Sequence, residues 1–237
     1  MRPLLSALAL AGSLAMPVSG YAENITMDLY AIGIKAGRIT VNGAEKGNTY
    51  ALKGLITSSF LLKLVKEIGF NGSASGTVKN GHYQSRRYAG NITNGKHHSQ
   101  VRMHWRGRRP ILDSYEPGRE KRSYDINPSK QLGVVDLLTA SYATFSSRRI
   151  ENLCNATHKM FDGRRRSQIS LGAPKVSGKI ATCPGKYTRV AGFSSNEMQK
   201  RVNFPFVMHY ELQDDGMYRF KEFTADATFG KIKAYRR

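Results

Sequence analysis

Phe161-Asp162-Gly163-Arg164-Arg165-Arg166, set between Cys154 and Cys183, decides how the chain is read. An Asp-Gly pair between two extended runs is the chemistry of a two-residue hairpin turn with positive φ. The two cysteines are the only ones in the sequence. They flank the turn, so the segment reads as a cross-braced β-hairpin. A flat three-strand meander would hold them about 9.5 Å apart laterally, whereas a disulfide needs Cα atoms within about 7 Å. Residues 172–182 are therefore expected to double back or leave the sheet. In an exported chain such a bond contributes about 3.6 kcal/mol by the loop-entropy relation for a loop of about 30 residues.

Export is read from the first 22 residues, which carry one charge, Arg2, then the apolar run from Leu4 to Val18, then Gly20-Tyr21-Ala22. This is the pattern of a signal peptide cut after Ala22. Pro17 interrupts the run, which is shorter than the roughly 20 residues of a spanning helix. No cysteine stands at the cut to carry lipid, and no later run is apolar enough to be a transmembrane segment. Cleavage removes one base and no acid, so the formal charge falls from +20 to +19. Residues 23–237 suit a single β-rich domain or, less readily, two small ones. Asn-x-Thr sequons begin at Asn24, Asn91 and Asn155 and matter only in a eukaryotic source.

Outward from the hairpin, short alternating runs are bounded by Gly, Pro, Asn or Asp at intervals of about 8 to 12 residues. Ile25, Met27 and Leu29 alternate with polar residues, and Gly33 and Gly37 bracket the next run. Asn42-Gly43, Gly47-Asn48, Asn94-Gly95 and Asp214-Asp215-Gly216 are turn chemistry. Helical spacing, with a strand as the alternative, occurs over 60–68, with Gly69 as its stop, and helical spacing returns after Pro128, where Val134, Leu137, Leu138, Ser141, Tyr142 and Phe145 share a face. Residues 72–76 read as strand edge or loop. The expected class is mainly β: a curved antiparallel sheet or open β-barrel with one or two short helices.

Several stretches together resemble an exported bacterial family catalogued as domain of unknown function 3108. They are Tyr30 to Gly37, Val135-Asp136-Leu137-Leu138-Thr139-Ala140, Cys154 with Phe161 to Arg165, and Cys183 with Tyr187, Arg189, Gly192 and Phe193. Leu137 stands where many relatives are expected to have proline. The resemblance implies a periplasmic, largely β protein similar to the open barrels of lipoprotein-localisation factors and the spirals of envelope-integrity proteins. It implies no established activity.

The residues specify no reaction. His-Glu-x-x-His, Cys-x-x-Cys, Gly-x-Ser-x-Gly and a phosphate loop are all missing, and nothing calls for a cofactor. His97 and His98 would point to opposite faces of a strand, which argues against a metal site with His104. Asp113, Asp136, Asp162 and Asp226 are candidate acids in positions that usually do local backbone work. With Asn94-Gly95 as a two-residue loop, Tyr88 would face Val101, Arg87 would face Arg102, and Tyr83 would face Arg106. One face would then bury Val101, Met103 and Trp105. The other would carry Arg87, Arg102, His104 and Arg106 with Tyr83, either as the solvated face of a very basic protein or as an anion-binding set to which Arg164, Arg165 and Arg166 are added.

The expected function is non-catalytic: envelope maintenance or binding, through contact with an anionic lipid, a lipopolysaccharide head group or an envelope protein. Apolar barrel residues would take acyl chains and arginines would take phosphates. A secreted nucleic-acid-binding protein, stacking bases on Tyr83, Tyr88 and Trp105, is a weaker alternative because of compartment. A hydrolase with an unrecognised acid pair is the third.

Overall fold

The computed structural model describes residues 20–65, 67–227 and 230–237. Most of the expected leader, residues 1–19, lies outside them. Gly20–Ala22 are described and pair with Ala44–Lys46.

Alternation and primed turns build the first half as a run of neighbouring antiparallel strands. These are β1 (Gly20–Ala31), β2 (Ile34–Lys46), β3 (Thr49–Ser58), β4 (Ile68–Lys79), β5 (His82–Asn94), β6 (His97–Arg106) and β7 (Arg109–Glu116), with the short helix α1 (Phe60–Val65) between β3 and β4. After a long connection come helix α2 (Leu137–Phe145), β8 (Thr157–Phe161), β9 (Arg166–Leu171), β10 (Lys175–Ser177) and β11 (Ile180–Ala191). Helix α3 (Ser195–Lys200), β12 (Asn203–Leu212), β13 (Tyr218–Ala227) and β14 (Gly230–Arg236) complete the chain. All fourteen strands belong to one sheet, ordered β7-β6-β5-β4-β3-β2-β1-β14-β13-β12-β11-β9-β8, with β10 also on β11. The first and last strands, β14 and β1, thus meet in the middle, and the sheet is not closed.

The open edges β7 and β8 are covered rather than left as templates for aggregation. Gly133 N–H donates to Arg108 C=O in the turn that leads into β7, Val135 N–H donates to Lys159 C=O, and Phe161 N–H donates to Val135 C=O at β8. The segment 133–135 therefore bridges the gap and delivers the chain into α2.

Helix α2 fills the concavity. Its N-cap Asp136 is fully buried, and Leu138, Thr139, Ala140, Tyr142, Ala143 and Thr144 are buried along it. The sheet makes room with glycine. A β-carbon at Gly43 would overlap the Tyr142 ring, and one at Gly54 would strike Leu138. Asn42-Gly43 is accordingly mid-strand in β2, not a turn, because a ring and not a chain reversal requires the glycine.

Other expectations change in detail. Helix α1 ends at Val65, and Ile68, Gly69 and 72–76 belong to β4. Helix α3, held by a reciprocal Ser194–Glu197 capping box, was not anticipated. The Asp162-Gly163 turn holds four loop residues, not two, since Phe161 pairs with Arg166. Asp162 organises it by accepting from the Arg164 and Arg165 N–H groups, and Gly163 has φ +98°. Gly172–Pro174 leave the ladder and the chain doubles back through the β10–β11 hairpin, which lets Cys154 and Cys183 bond at a Cα separation of 6.1 Å.

Gly43→Ala should destabilise the fold by about 1–3 kcal/mol in chemical denaturation, the usual cost of overpacking. Combined with Tyr142→Ala, which empties the same space, the two costs should be clearly less than additive.

Candidate functional site

The β5–β6 hairpin pairs Asn94 with His97, so the loop is Gly95-Lys96 and the register differs by two from the expected one. Gly95 has φ +64° at the first loop position, the pattern of a type II′ turn. A slip of two keeps every side chain on its face. Tyr88, Val101, Met103 and Trp105 are buried, and Arg87, Arg102 and Arg106 are exposed. Arg87 now faces His104 and Arg102 faces Ala89, so the two arginines are diagonal neighbours rather than a directly opposed like-charge pair.

Tyr83 departs from expectation because β5 carries a bulge. Ser75 pairs with Arg87 and Gly76 with Ser85, leaving Arg86 unpaired. One extra residue reverses the alternation. Ser85 and Tyr83 therefore point inward, where Ser85 Oγ donates to Asp136 at 2.6 Å and Tyr83 accepts from Arg148 at 2.7 Å, while Arg87 stays outside.

Across the outer face the registers assemble two rows. One runs Ala44, Ala51, Ser75, Arg87, His104; the other runs Asn42, Lys53, Ser73, Ala89, Arg102, Ser114. Small side chains on β2 to β5 leave a groove of about 990 Å³. Lys53 stands on one side, and Arg87 and Arg102 on the other, two and three strands away, about 9.5 and 14 Å by strand spacing. Among the described residues none of these three cations has a hydrogen-bond or ion-pair partner. His104 Nδ1 is 2.6 Å from Asp113, the carboxylate at this wall.

Several other cations are paired. On the far half of the sheet, Lys35, Arg38 and Arg237 surround Asp28, Arg236 meets Glu23, and Lys221, Lys231 and Lys233 meet Glu211, Asp226 and Glu222. Arg164, Arg165 and Arg166 do not join the groove. Arg164 lies 3.3 Å over the Tyr115 ring, Arg165 pairs with Glu197, and Arg166 is half-buried in β9. Arg106 sits at the end of β6 opposite Arg109. A plain signal marked the groove half: from Ile68 to Leu112 the sequence has eight Lys or Arg and no Asp or Glu. Lys53 was missed because its row becomes visible only with the register.

The candidate acids have local partners. Asp136 caps α2, Asp162 holds its turn, Asp226 pairs with Lys231 and Asp113 with His104. Burial pushes the Asp136 and Asp162 carboxyls up, against hydrogen bonds that favour their ionised forms. At the end of the sheet holding the β4–β5 and β6–β7 turns, a second cavity of about 860 Å³ is lined by His82, Arg108, Arg148 and His158 among others. Burial, then Arg148 and His82, push His158 down to about 4 from 6.5.

No family model and no curated protein matches the chain. Among solved structures it is similar to the crystal structure of a beta-barrel-like protein of domain of unknown function DUF1849 from Brucella abortus, at 8% identity and a TM-score of 0.49 over 93% of this chain and 96% of that one.

Trp105→Ala should cost about 3–5 kcal/mol, since the ring is core and its Nε1–H donates to Val134 C=O. Arg87→Gln and Arg102→Gln should each stay within about 1 kcal/mol of the parent in the same denaturation assay. His158 makes stability depend on pH. Its folded value lies below its unfolded one, so its contribution is complete above pH 6.5 and drains as pH falls toward 4. Between pH 7 and 5 that loss is about 2 kcal/mol, and His158→Gln should lack it.

Proposed function

We propose that the chain is an exported, non-catalytic binding protein of the bacterial envelope whose outer groove receives the anionic head group of an amphiphile. One observation carries the reading: among the described residues Lys53, Arg87 and Arg102 stand without partners around a floor of small residues, and the one acid lining the groove, Asp113, is already paired with His104. Charge-assisted hydrogen bonds from guanidinium to phosphate or carboxylate are the natural complement of such a wall. The leader-like N-terminus, the disulfide and the resemblance to the family catalogued as domain of unknown function 3108 support the compartment. Among the described residues no helix is long and apolar enough to cross a membrane.

Two parts of the expectation are revised. Acyl chains were expected inside the barrel, but that space is taken by α2 and by Tyr142, Tyr210, Phe161 and Phe220, all fully buried. The groove therefore binds through the head group. The stacking platform of the nucleic-acid alternative is also missing from the arginine face, since Tyr88 and Trp105 are buried and Tyr83 points inward.

Short-chain phosphatidylglycerol, kept below its micelle concentration, should bind in calorimetry. Arg87→Gln with Arg102→Gln should weaken binding at least about tenfold, because each charged hydrogen bond contributes roughly 1.5–3 kcal/mol, and should flatten its salt dependence. Equal binding by the double variant would overturn the reading. Tighter binding of a single-stranded oligonucleotide than of the lipid would favour the alternative.

A further inference from the structure

The end of the sheet opposite the His158 cavity carries an unusual apolar rim. At the β1–β2 turn, Ala31 pairs with Ile34, leaving Ile32-Gly33 as the loop. Ile32 has φ +53°, a region that β-branched residues avoid and that this turn normally fills with Asn, Asp or Gly. It is 63% exposed although its side chain lies over Gly230, so the backbone disfavours isoleucine here and packing accounts for only part of it.

Two further apolar side chains stand beside it. Ile34 is 59% exposed and Phe60 75% exposed. Ser59 N–H donates to Ala36 C=O, and Gly37 pairs with Ser58, which sets Phe60 next to the start of β2. Ile32 N–H donates to Lys231 C=O, tying the same turn to β14. Behind the apolar tips lie Lys35, Arg38, Lys63, Lys231, Lys233 and Arg237. Their carboxylate partners are four, Asp28, Glu67, Asp226 and Glu222, so the collar keeps a positive excess.

We propose that this rim seats in the interface of an anionic lipid bilayer, with Ile32, Ile34 and Phe60 entering the acyl boundary and the lysines reaching head groups. Apolar tips within a basic collar are the arrangement of peripheral membrane docking, where apolar burial and attraction to anionic lipid add. A strained isoleucine that stays largely exposed in the folded chain gains an apolar environment there. The inference is independent of the groove, which lies on the outer face of β2 to β6.

The experiment is sedimentation with vesicles of phosphatidylcholine and phosphatidylglycerol at low and high salt. The full chain should partition onto them. Ile32→Asn should melt no lower than the parent, because asparagine tolerates this φ, yet should bind vesicles more weakly. The triple variant Ile32→Asn, Ile34→Ser, Phe60→Ser should lose at least about tenfold at both salt concentrations, and should still bind short-chain phosphatidylglycerol like the parent. Vesicle binding equal to the parent's by the triple variant would overturn the proposal. So would a parent that sediments alone as a dimer dissociated by the triple substitution with vesicle partition unchanged, since the rim would then meet a second copy. If instead the short-chain lipid fails to bind while the rim variants behave as stated, the groove reading falls and the rim stands.

Discussion

Asp136 is a carboxylate with no exposed surface, and it is satisfied from two directions at once. Its Oδ1 accepts Thr139 N–H at 2.8 Å; its Oδ2 accepts the hydroxyls of Thr139 at 2.7 Å and Ser85 at 2.6 Å, and Ser85 in turn accepts Asp136 N–H. The Tyr50 hydroxyl meets Thr139 Oγ1 at 2.9 Å. One network thus fixes the start of α2 to β3 and β5. An unpaired buried charge is far costlier than a paired one, so the helix has one seat in the sheet.

The same network determines what the outside presents. Ser85 reaches Asp136 only because the bulge at Arg86 turns it inward, and that extra residue allows Tyr88 to remain in the core and Arg87 to remain outside. Without the bulge, regular alternation from Tyr88 would place Arg86 among the apolar side chains. The inward cap and the outward cationic wall are therefore two faces of one irregularity. Bulges commonly re-aim side chains in this way beside binding sites.

Much of this was legible. The alternating runs, the Gly-containing reversals and the spacing of Val134 to Phe145 led to a curved antiparallel sheet or open barrel with one or two short helices, and Val101, Met103 and Trp105 were assigned to the core. What escaped notice were features set by contacts distant in sequence. Gly43 looks like half of a turn until Tyr142 is placed over it. Asn94-Gly95 marks the right hairpin, but Gly95 takes the first loop position, and sequence alone does not choose between neighbouring loops. The bulge has no local signature, so Tyr83 was put on the wrong face. Arg164 to Arg166 look like a ligand cluster, yet Arg164 lies on Tyr115, Arg165 pairs with Glu197 and Arg166 is half-buried in β9, away from the groove.

The groove is the claim on which the functional account rests, and amide and arginine Nε–H shifts in nuclear magnetic resonance report on it directly. Titration with short-chain phosphatidylglycerol should move the signals of Lys53, Ser73, Ala89, Arg87 and Arg102 together, with one affinity, and leave those of Arg164 to Arg166 and the buried face of α2 in place. Shifts concentrated on α2 and the inward rings, or on the Arg164 to Arg166 turn, would contradict the account.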